Sequence, residues 1–293
     1  MTMADVWTIA RMLKWTQGFF AEHGIETPRL DAEVLLSHLL DEPRIYLYTH
    51  FDQPLEPGEL ARFREMVKRR AAREPVAYII GEKEFMGLPF HVTKDVLIPR
   101  PDTEILVQAA IERLAKFDGE KLFADIGTGS GAICLSVLKL LDESRAVTVD
   151  LSPAARAVAE ANAEALGVTD RIEFLTGDLV TPLAARPERY AAILSNPPYI
   201  DDADMQSLQP EVRCEPRLAL AGGADGLDCY RRLFAEAPAL LMPGGFLAVE
   251  VGIDEAERVA GLAAANPLLE KERTEILRDY GGIERVVIAW RPC

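Results

Sequence analysis

The chain is poor in the residues that build metal centres and disulfide frameworks, with four cysteines and four histidines among its 293 residues. Cys134, Cys214, Cys229 and Cys293 form no Cys-x-x-Cys pair, and His23, His38, His50 and His91 show no His-Glu-x-x-His spacing. No structural metal is expected, and the scattered thiols suit a reducing compartment, the cytoplasm. Long apolar runs are also missing. No stretch approaches the roughly 20 apolar residues that would span a bilayer. Met1 to Phe20 carries Asp5, Arg11 and Lys14, which a secretory leader would not tolerate. Positive charge is in deficit, with 32 Lys and Arg against 47 Asp and Glu and a net charge of −15. That balance argues against DNA, or any long nucleic-acid backbone, as the main partner. The balance reverses locally in residues 62–73, where six cations meet one acid in either a solvated helix face or a docking surface for an acidic partner.

Against these absences stands an ordinary globular composition, 49% hydrophobic and 27% charged, in a chain long enough for two domains. From Asp5 to about Arg73 apolar residues recur at spacings of three and four: Val6, Ile9, Leu13, then Leu30, Val34, Leu35, Leu39. Asp5 is a candidate cap for the first helix. Thr27-Pro28 places a capping residue directly before a proline at the first helical position. Gly24, Pro43, Pro54, Pro57 and Pro75 divide the run into four or five short helices. Glu84 to Val92 then reads as two short strands about Gly87, a candidate hairpin linker.

Beyond a helix ending near Lys116, strands and helices alternate. Strands are expected near 121–126, 145–150, 171–176, 190–195 and 244–251, and helices near 131–142, 153–166 and 228–241. Such alternation predicts a parallel sheet covered on both faces. Two further segments, 269–278 and 284–290, flank Tyr280-Gly281-Gly282 with no helix between them, so they are expected to pair antiparallel.

The chemistry concentrates at strand ends. Asn196-Pro197-Pro198-Tyr199 closes an apolar strand and is suited to hold a planar NH2 group. The Asn196 side-chain carbonyl accepts one N–H, the rigid backbone carbonyl of Pro197 accepts the other, and Tyr199 offers an aromatic face. A bland Pro-rich turn is the alternative for the tetrapeptide taken alone. Upstream, Asp125-Ile126-Gly127-Thr128-Gly129-Ser130-Gly131 is a strand breaking into a glycine turn before a helix, which permits close approach of a ligand. Asp150 ends the next strand, where an acid can bind the two hydroxyls of a ribose. Asp178 and Leu179 close the third strand, suited to the exocyclic amine and the ring of adenine.

Gly127-x-Gly129-x-x-Ala132 with Asp150 also satisfies a dinucleotide fingerprint, so the loop alone does not decide the ligand. Asp125 favours a sulfonium nucleoside, because an acid there would face a cationic ammonium and repel a pyrophosphate. With a nitrogen-orienting site beside the same crevice, S-adenosylmethionine is the expected cofactor and S-adenosylhomocysteine the product. Arg100 and Glu104 are candidates for the substrate entrance or, equally, for capping and ion pairing at a helix start.

Over nearly its whole length the chain resembles the release-factor glutamine methyltransferases, the PrmC/HemK family. The resemblance rests on Glu74 to Gly81, Leu97 to Glu104, Asp125 to Ala132, Ser195 to Ile200 and Glu215 to Leu220. It implies an α/β fold in which a seven-stranded class I, Rossmann-like methyltransferase domain follows a small helical bundle. The expected division is residues 1–80 for a helical substrate-recognition domain, 81–98 for the hairpin linker and 99–293 for the catalytic domain. The implied activity is methyl transfer to the side-chain amide nitrogen of glutamine in the Gly-Gly-Gln loop of class-I peptide chain release factors. Under the resemblance Gly127, Thr128, Gly129, Ser130, Gly131, Asp150 and Asn196 bind cofactor, and Asn196, Pro197, Pro198 and Tyr199 hold the glutamine. Leu179 departs from the larger adenine-packing residue common in the family. Glutamine methylation of a ribosomal protein, amino-methylation of a DNA base, or a catalytically silent adaptor are the alternatives. A monomer with no membrane partner is expected.

Overall fold

The computed structural model describes residues 6–293, and the chain divides into two compact units. One runs up to Glu82 and also includes Gln209–Cys214; the other comprises Lys83–Leu208 and Glu215–Cys293.

The first unit is helical: α1 (Ile9–Glu22), α2 (Pro28–Leu40), α3 (Arg44–Thr49), α4 (Pro57–Ala71) and α5 (Val76–Ile80). Thr8 caps α1, its hydroxyl accepting from the Arg11 amide, while the expected cap Asp5 lies outside the described residues. Thr27 precedes α2 as expected, yet its hydroxyl donates to Asp31 at 2.7 Å instead of capping the backbone. Ile9, Leu13, Phe20, Leu35, Leu36, Phe63 and Val67 form the core.

The apolar spacing places the inner face of α2 only in part, with Leu35 in the core and Leu39 packed against it. Leu30 is 43% exposed, and Ala32, Leu35 and Leu36 turn inward together with two acids, Asp31 and Glu33. These buried carboxylates are answered by cations, as burial without pairing would demand. Asp31 accepts from Arg70 Nε at 2.7 Å, and Glu33 accepts from Arg29, Tyr48 and Arg44, the last at 2.7 Å. Glu211, in the segment 209–214, accepts from Arg70 at 2.8 Å and Arg73 at 2.9 Å. The basic run 62–73 is therefore partly internal. Arg69 pairs with Glu74 while Arg62 and Arg64 stay exposed.

The second unit opens with the hairpin β1 (Glu82–Phe85) and β2 (Leu88–His91), of which Glu82 is counted with the helices. The hairpin is no free-standing linker: Phe85 and Phe90 lie in the same apolar cluster as Phe123, Leu135 and Ala163. Then follow α6 (Thr103–Lys116), β3 (Lys121–Ile126), α7 (Ala132–Leu140), β4 (Ser144–Asp150), α8 (Pro153–Leu166), β5 (Ile172–Thr176), α9 (Thr181–Ala184) and β6 (Tyr190–Ser195). A two-stranded parallel pair, β7 (Ile200–Asp201) and β8 (Ala221–Gly223), precedes α10 (Asp228–Glu236), β9 (Leu241–Glu250), α11 (Ala256–Ala265), β10 (Glu275–Arg278) and β11 (Glu284–Trp290).

Seven strands form one sheet in the order β10-β11-β9-β6-β3-β4-β5. The five from β9 to β5 are parallel, while β11 runs antiparallel to both β9 and β10. Alternation along the strands feeds two cores, as a sheet buried on both faces requires. Phe123, Ala146, Leu194 and Phe246 pack towards α6, α7 and α8; Ala124, Val147, Ile193 and Leu247 pack towards α10 and α11.

Three elements differ from expectation. The helix from 228 stops at Glu236 because Pro238 lacks an N–H, and a tight turn Ala237–Leu240 replaces its last stretch. Strand β10 begins only at Glu275, after a turn at Lys271–Arg273. Helix α11, rich in alanine, was not foreseen. No helix among the described residues is long and apolar enough to cross a membrane.

Candidate active site

Because β3, β4, β5, β6 and β9 are parallel, their carboxyl ends share one edge of the sheet, the place where open α/β sheets bind ligands. A cavity of about 410 Å³ opens there, lined by Gly127 to Ser130, Asp150, Asp178, Leu179, Asn196, Pro198, Arg100 and Thr103 among others.

The glycine turn is held open by its own conformation. Gly129 has φ +54°, and a Cβ built there would meet nothing within 4 Å, so its backbone faces free space. Gly131 (φ +83°) instead leaves room for Leu135, whose Cδ1 would sit 2.6 Å from an added Cβ; it shapes the loop from behind and does not line the cavity. Asp150 accepts from the Gly129 amide and the Ser152 amide, each at 2.8 Å. Those bonds use one lone pair on each carboxylate oxygen, leaving capacity for two ribose hydroxyls. Asn162, 2% exposed, ties β2 to the turn: it accepts from the His91 amide and donates to Ser130 O, both at 2.8 Å. Only the structure reveals this support.

Other expected residues are placed differently. Asp125 is fully buried and does not line the cavity, so it does not face an ammonium group there. Neither of its oxygens has a hydrogen-bond partner. Burial pushes its carboxyl up to about 7. Asp178 lines the cavity, but its carboxylate is paired with Arg232 at 2.9 Å. Leu179 lines the cavity in the left-handed region, φ +47°. Glu104 points away from the cavity and accepts from the Met86 amide at 2.9 Å, which fixes the hairpin turn.

At the end of β6, Asn196 lines the cavity and donates from Nδ2 to Thr103 Oγ1 at 3.2 Å. That bond turns the amide so that Oδ1 remains as its free acceptor. Pro198 lines the cavity, whereas Pro197 and Tyr199 do not. Tyr199 sits among glycines: a Cβ on Gly222 would lie 2.7 Å from its Cα, and one on Gly252 would lie 3.1 Å from its ring. Burial first, then the nearby Glu250, pushes the Tyr199 phenol up to about 12, so it is neutral at physiological pH.

Two further acids take their roles from the structure. Glu215, 6% exposed, accepts from the Ile98 amide at 3.1 Å and from Arg100, and so fixes the Arg100 guanidinium at the cavity wall. Glu250, 2% exposed, ends β9 beside Asn196. The signal for it was a lone acid closing the apolar run Phe246 to Val249 at the sheet's ligand edge.

Comparison with known proteins agrees with this geometry. The PrmC N-terminal domain model matches residues 11–81 and the methyltransferase small domain model matches residues 102–212. A release factor glutamine methyltransferase of Geobacter sulfurreducens is 47% identical over 97% of this chain and 96% of its own. One from Moorella thermoacetica is 45% identical over 92% and 94%. A solved methyltransferase structure from Pyrococcus furiosus, 16% identical with a TM-score of 0.50, covers 81% of this chain and all of its own, and shares the fold. With the sheet order, the glycine turn, Asn196 and Pro198 at the cavity and identity near one half over almost the full length, the chain belongs to the release factor glutamine methyltransferase family.

Proposed function

We propose that this enzyme transfers the methyl group of S-adenosylmethionine to the side-chain amide nitrogen of the glutamine in the Gly-Gly-Gln loop of class-I peptide chain release factors. The observation that carries this reading is the Asn196 amide, whose Nδ2 is engaged by Thr103 and whose Oδ1 is left to accept from a planar NH2 group. Gly127, Thr128, Gly129 and Ser130 with Asp150 suit the nucleoside half of the cofactor, since the turn's backbone is open and Asp150 retains acceptor capacity. The bound cofactor supplies an electrophilic methyl on a positive sulfur.

The residues of the chain have to make a poor nucleophile competent. An amide nitrogen shares its lone pair with its carbonyl. Asn196 Oδ1 at the cavity, with the Pro197 carbonyl brought to it on substrate binding although Pro197 does not line the cavity here, would accept its two N–H bonds and aim the lone pair at the methyl carbon. Orientation of this kind removes up to roughly 7–11 kcal/mol of a barrier. The same acceptors stabilise the positive charge that grows on nitrogen. Tyr199, neutral and packed against Gly222 and Gly252, directly follows the Pro197-Pro198 pair. The N-alkylated amide cation is strongly acidic and loses its proton to water.

The test is transfer of labelled methyl to a purified class-I release factor, beside a factor whose Gly-Gly-Gln glutamine is changed to alanine, a ribosomal protein fraction and DNA. Label on the intact factor alone supports the reading. Label on ribosomal protein or DNA alone refutes it.

A further inference from the structure

We propose that Glu250 is a positioning residue for methyl transfer: as a buried anionic acceptor behind Thr103 and Asn196, it fixes which face of the Asn196 amide meets the substrate. The proposal rests on the reading of Asn196 as the acceptor for a glutamine amide.

Strands β6 and β9 run parallel with Ser195 opposite Val249, so the next residues on the two strands are Asn196 and Glu250. Glu250 is 2% exposed and does not line the cavity. Its backbone carbonyl accepts from the Tyr230 hydroxyl at 2.8 Å, while carboxyl oxygen Oε2 has no partner. The Thr103 hydroxyl and the Asn196 amide are the nearby donors that favour the ionised carboxyl, though neither is a hydrogen-bond partner of Oε2. Thr103, 4% exposed, in turn accepts from Asn196 Nδ2 at 3.2 Å.

The polarity of this chain follows from donor counting. An ionised carboxylate only accepts. It draws the Thr103 hydroxyl hydrogen inward, which leaves the Thr103 oxygen to accept from Asn196 Nδ2 and turns Asn196 Oδ1 to the cavity. A protonated carboxyl can donate. It removes that bias and lets the Asn196 amide turn its NH2 towards the cavity, where it would confront the NH2 of the substrate donor to donor. A buried carboxylate facing the acceptor site also favours the positive charge that develops on the attacked nitrogen.

The charged and titratable groups around Glu250 are Asp102 at the start of α6, Tyr199 after β6, Tyr230 on α10 and Arg285 on β11. Arg285 is itself paired with Asp102 at 3.0 Å and Asp279 at 3.1 Å, so it only partly compensates Glu250. Burial pushes the Glu250 carboxyl up to about 7 against the donors Thr103 and Asn196 and the Arg285 charge. The aligned form therefore gains population as pH rises towards 7, and a cationic ligand in the crevice moves that rise to lower pH.

The test compares wild type, Glu250→Gln and Thr103→Val in methyl transfer to a class-I release factor from pH 5.5 to 8.5, with affinity for S-adenosylhomocysteine measured calorimetrically. Wild-type kcat is expected to climb with pH and level at or below pH 7. Glu250→Gln, isosteric and foldable, is expected to lose at least tenfold in kcat, to lose the ascending limb, and to keep product affinity within threefold. Thr103→Val, which removes the hydroxyl through which the carboxyl acts, should likewise lower kcat and flatten the ascending limb. Wild-type labelling with Glu250→Gln unchanged in kcat and pH profile overturns the inference alone. No wild-type labelling of the factor at any pH overturns it together with the reading it rests on.

Discussion

Replacing Arg70 by methionine should unfold the helical unit well before the rest of the chain. The Arg70 side chain is 7% exposed and donates to Asp31 at 2.7 Å and to Glu211 at 2.8 Å. Without it, Asp31, 9% exposed, keeps the Thr27 hydroxyl as a donor but loses its neutralising charge, while Glu211 keeps Arg73. Removing one member of a buried pair costs roughly 3–5 kcal/mol, because the remaining charge stays desolvated. Glu211 is 20% exposed and adds little to that. For a unit of this size each kcal/mol moves the midpoint by about 4–8 °C, so a fall of at least about 12 °C is expected. Trp7 and Trp15 lie in the helical unit and Trp290 on β11, so fluorescence in a Trp290→Phe background reports the helical unit alone. The companion variant is Asp31→Leu with Arg70→Met. Two apolar residues in place of a buried pair are often neutral or better, so this double change should recover most of the loss. A single Arg70→Met variant melting within about 2 °C of wild type, or a double variant no better than the single, would refute the reasoning.

Asn196→Ala should abolish turnover while leaving S-adenosylhomocysteine affinity within a few-fold, as checked by calorimetry beside a methyl-transfer assay; retained turnover would remove the orientation mechanism. Gly222→Ala should lower kcat by about a hundredfold, since its Cβ would sit 2.7 Å from the Tyr199 Cα and only backbone movement could relieve it. Steady-state rates with unchanged product affinity would bear this out. Burial raises the Glu211 carboxyl, but hydrogen bonds from Arg70 and Arg73 outweigh it and hold it below the ordinary range. Its contribution is therefore present above the unfolded value near pH 4.3 and is lost as pH falls through the lower folded value. Glu211→Gln should be destabilised at pH 7, and the difference from wild type should narrow below pH 4 in denaturation curves.

Much of the catalytic half was legible because local pattern and global requirement coincide there. A parallel strand buried on both faces has to be apolar, and the strands at Lys121–Ile126 and Tyr190–Ser195 fall where the residues suggested. The cavity position of Gly127 to Ser130 and of Asn196 was legible for the same reason, since few residue types permit that backbone or those acceptors. What the pattern hid was charge turned inward. Asp31 and Glu33 rotate α2 away from its apolar stripe because Arg70, Arg29 and Arg44 meet them, and those partners lie on other helices or a turn away. Asp125 and Glu250 were hidden similarly, because whether an acid near a strand end faces a ligand or the core depends on neighbours remote in sequence. Asp125, read as a contact for the ammonium group, instead sits behind the glycine turn.

The excursion of residues 209–214 makes the protein hard to cut. The backbone passes from one unit to the other at 82/83, at 208/209 and again at 214/215. A protease nick near residue 82 would therefore leave the two pieces threaded together, and a gene encoding the helical portion alone would yield a bundle lacking Glu211 beside Arg70 and Arg73. Recombination that swaps front halves between homologues inherits the same debt: the donor's arginines need an acid encoded more than a hundred codons downstream, so the two stretches have to travel as one heritable block.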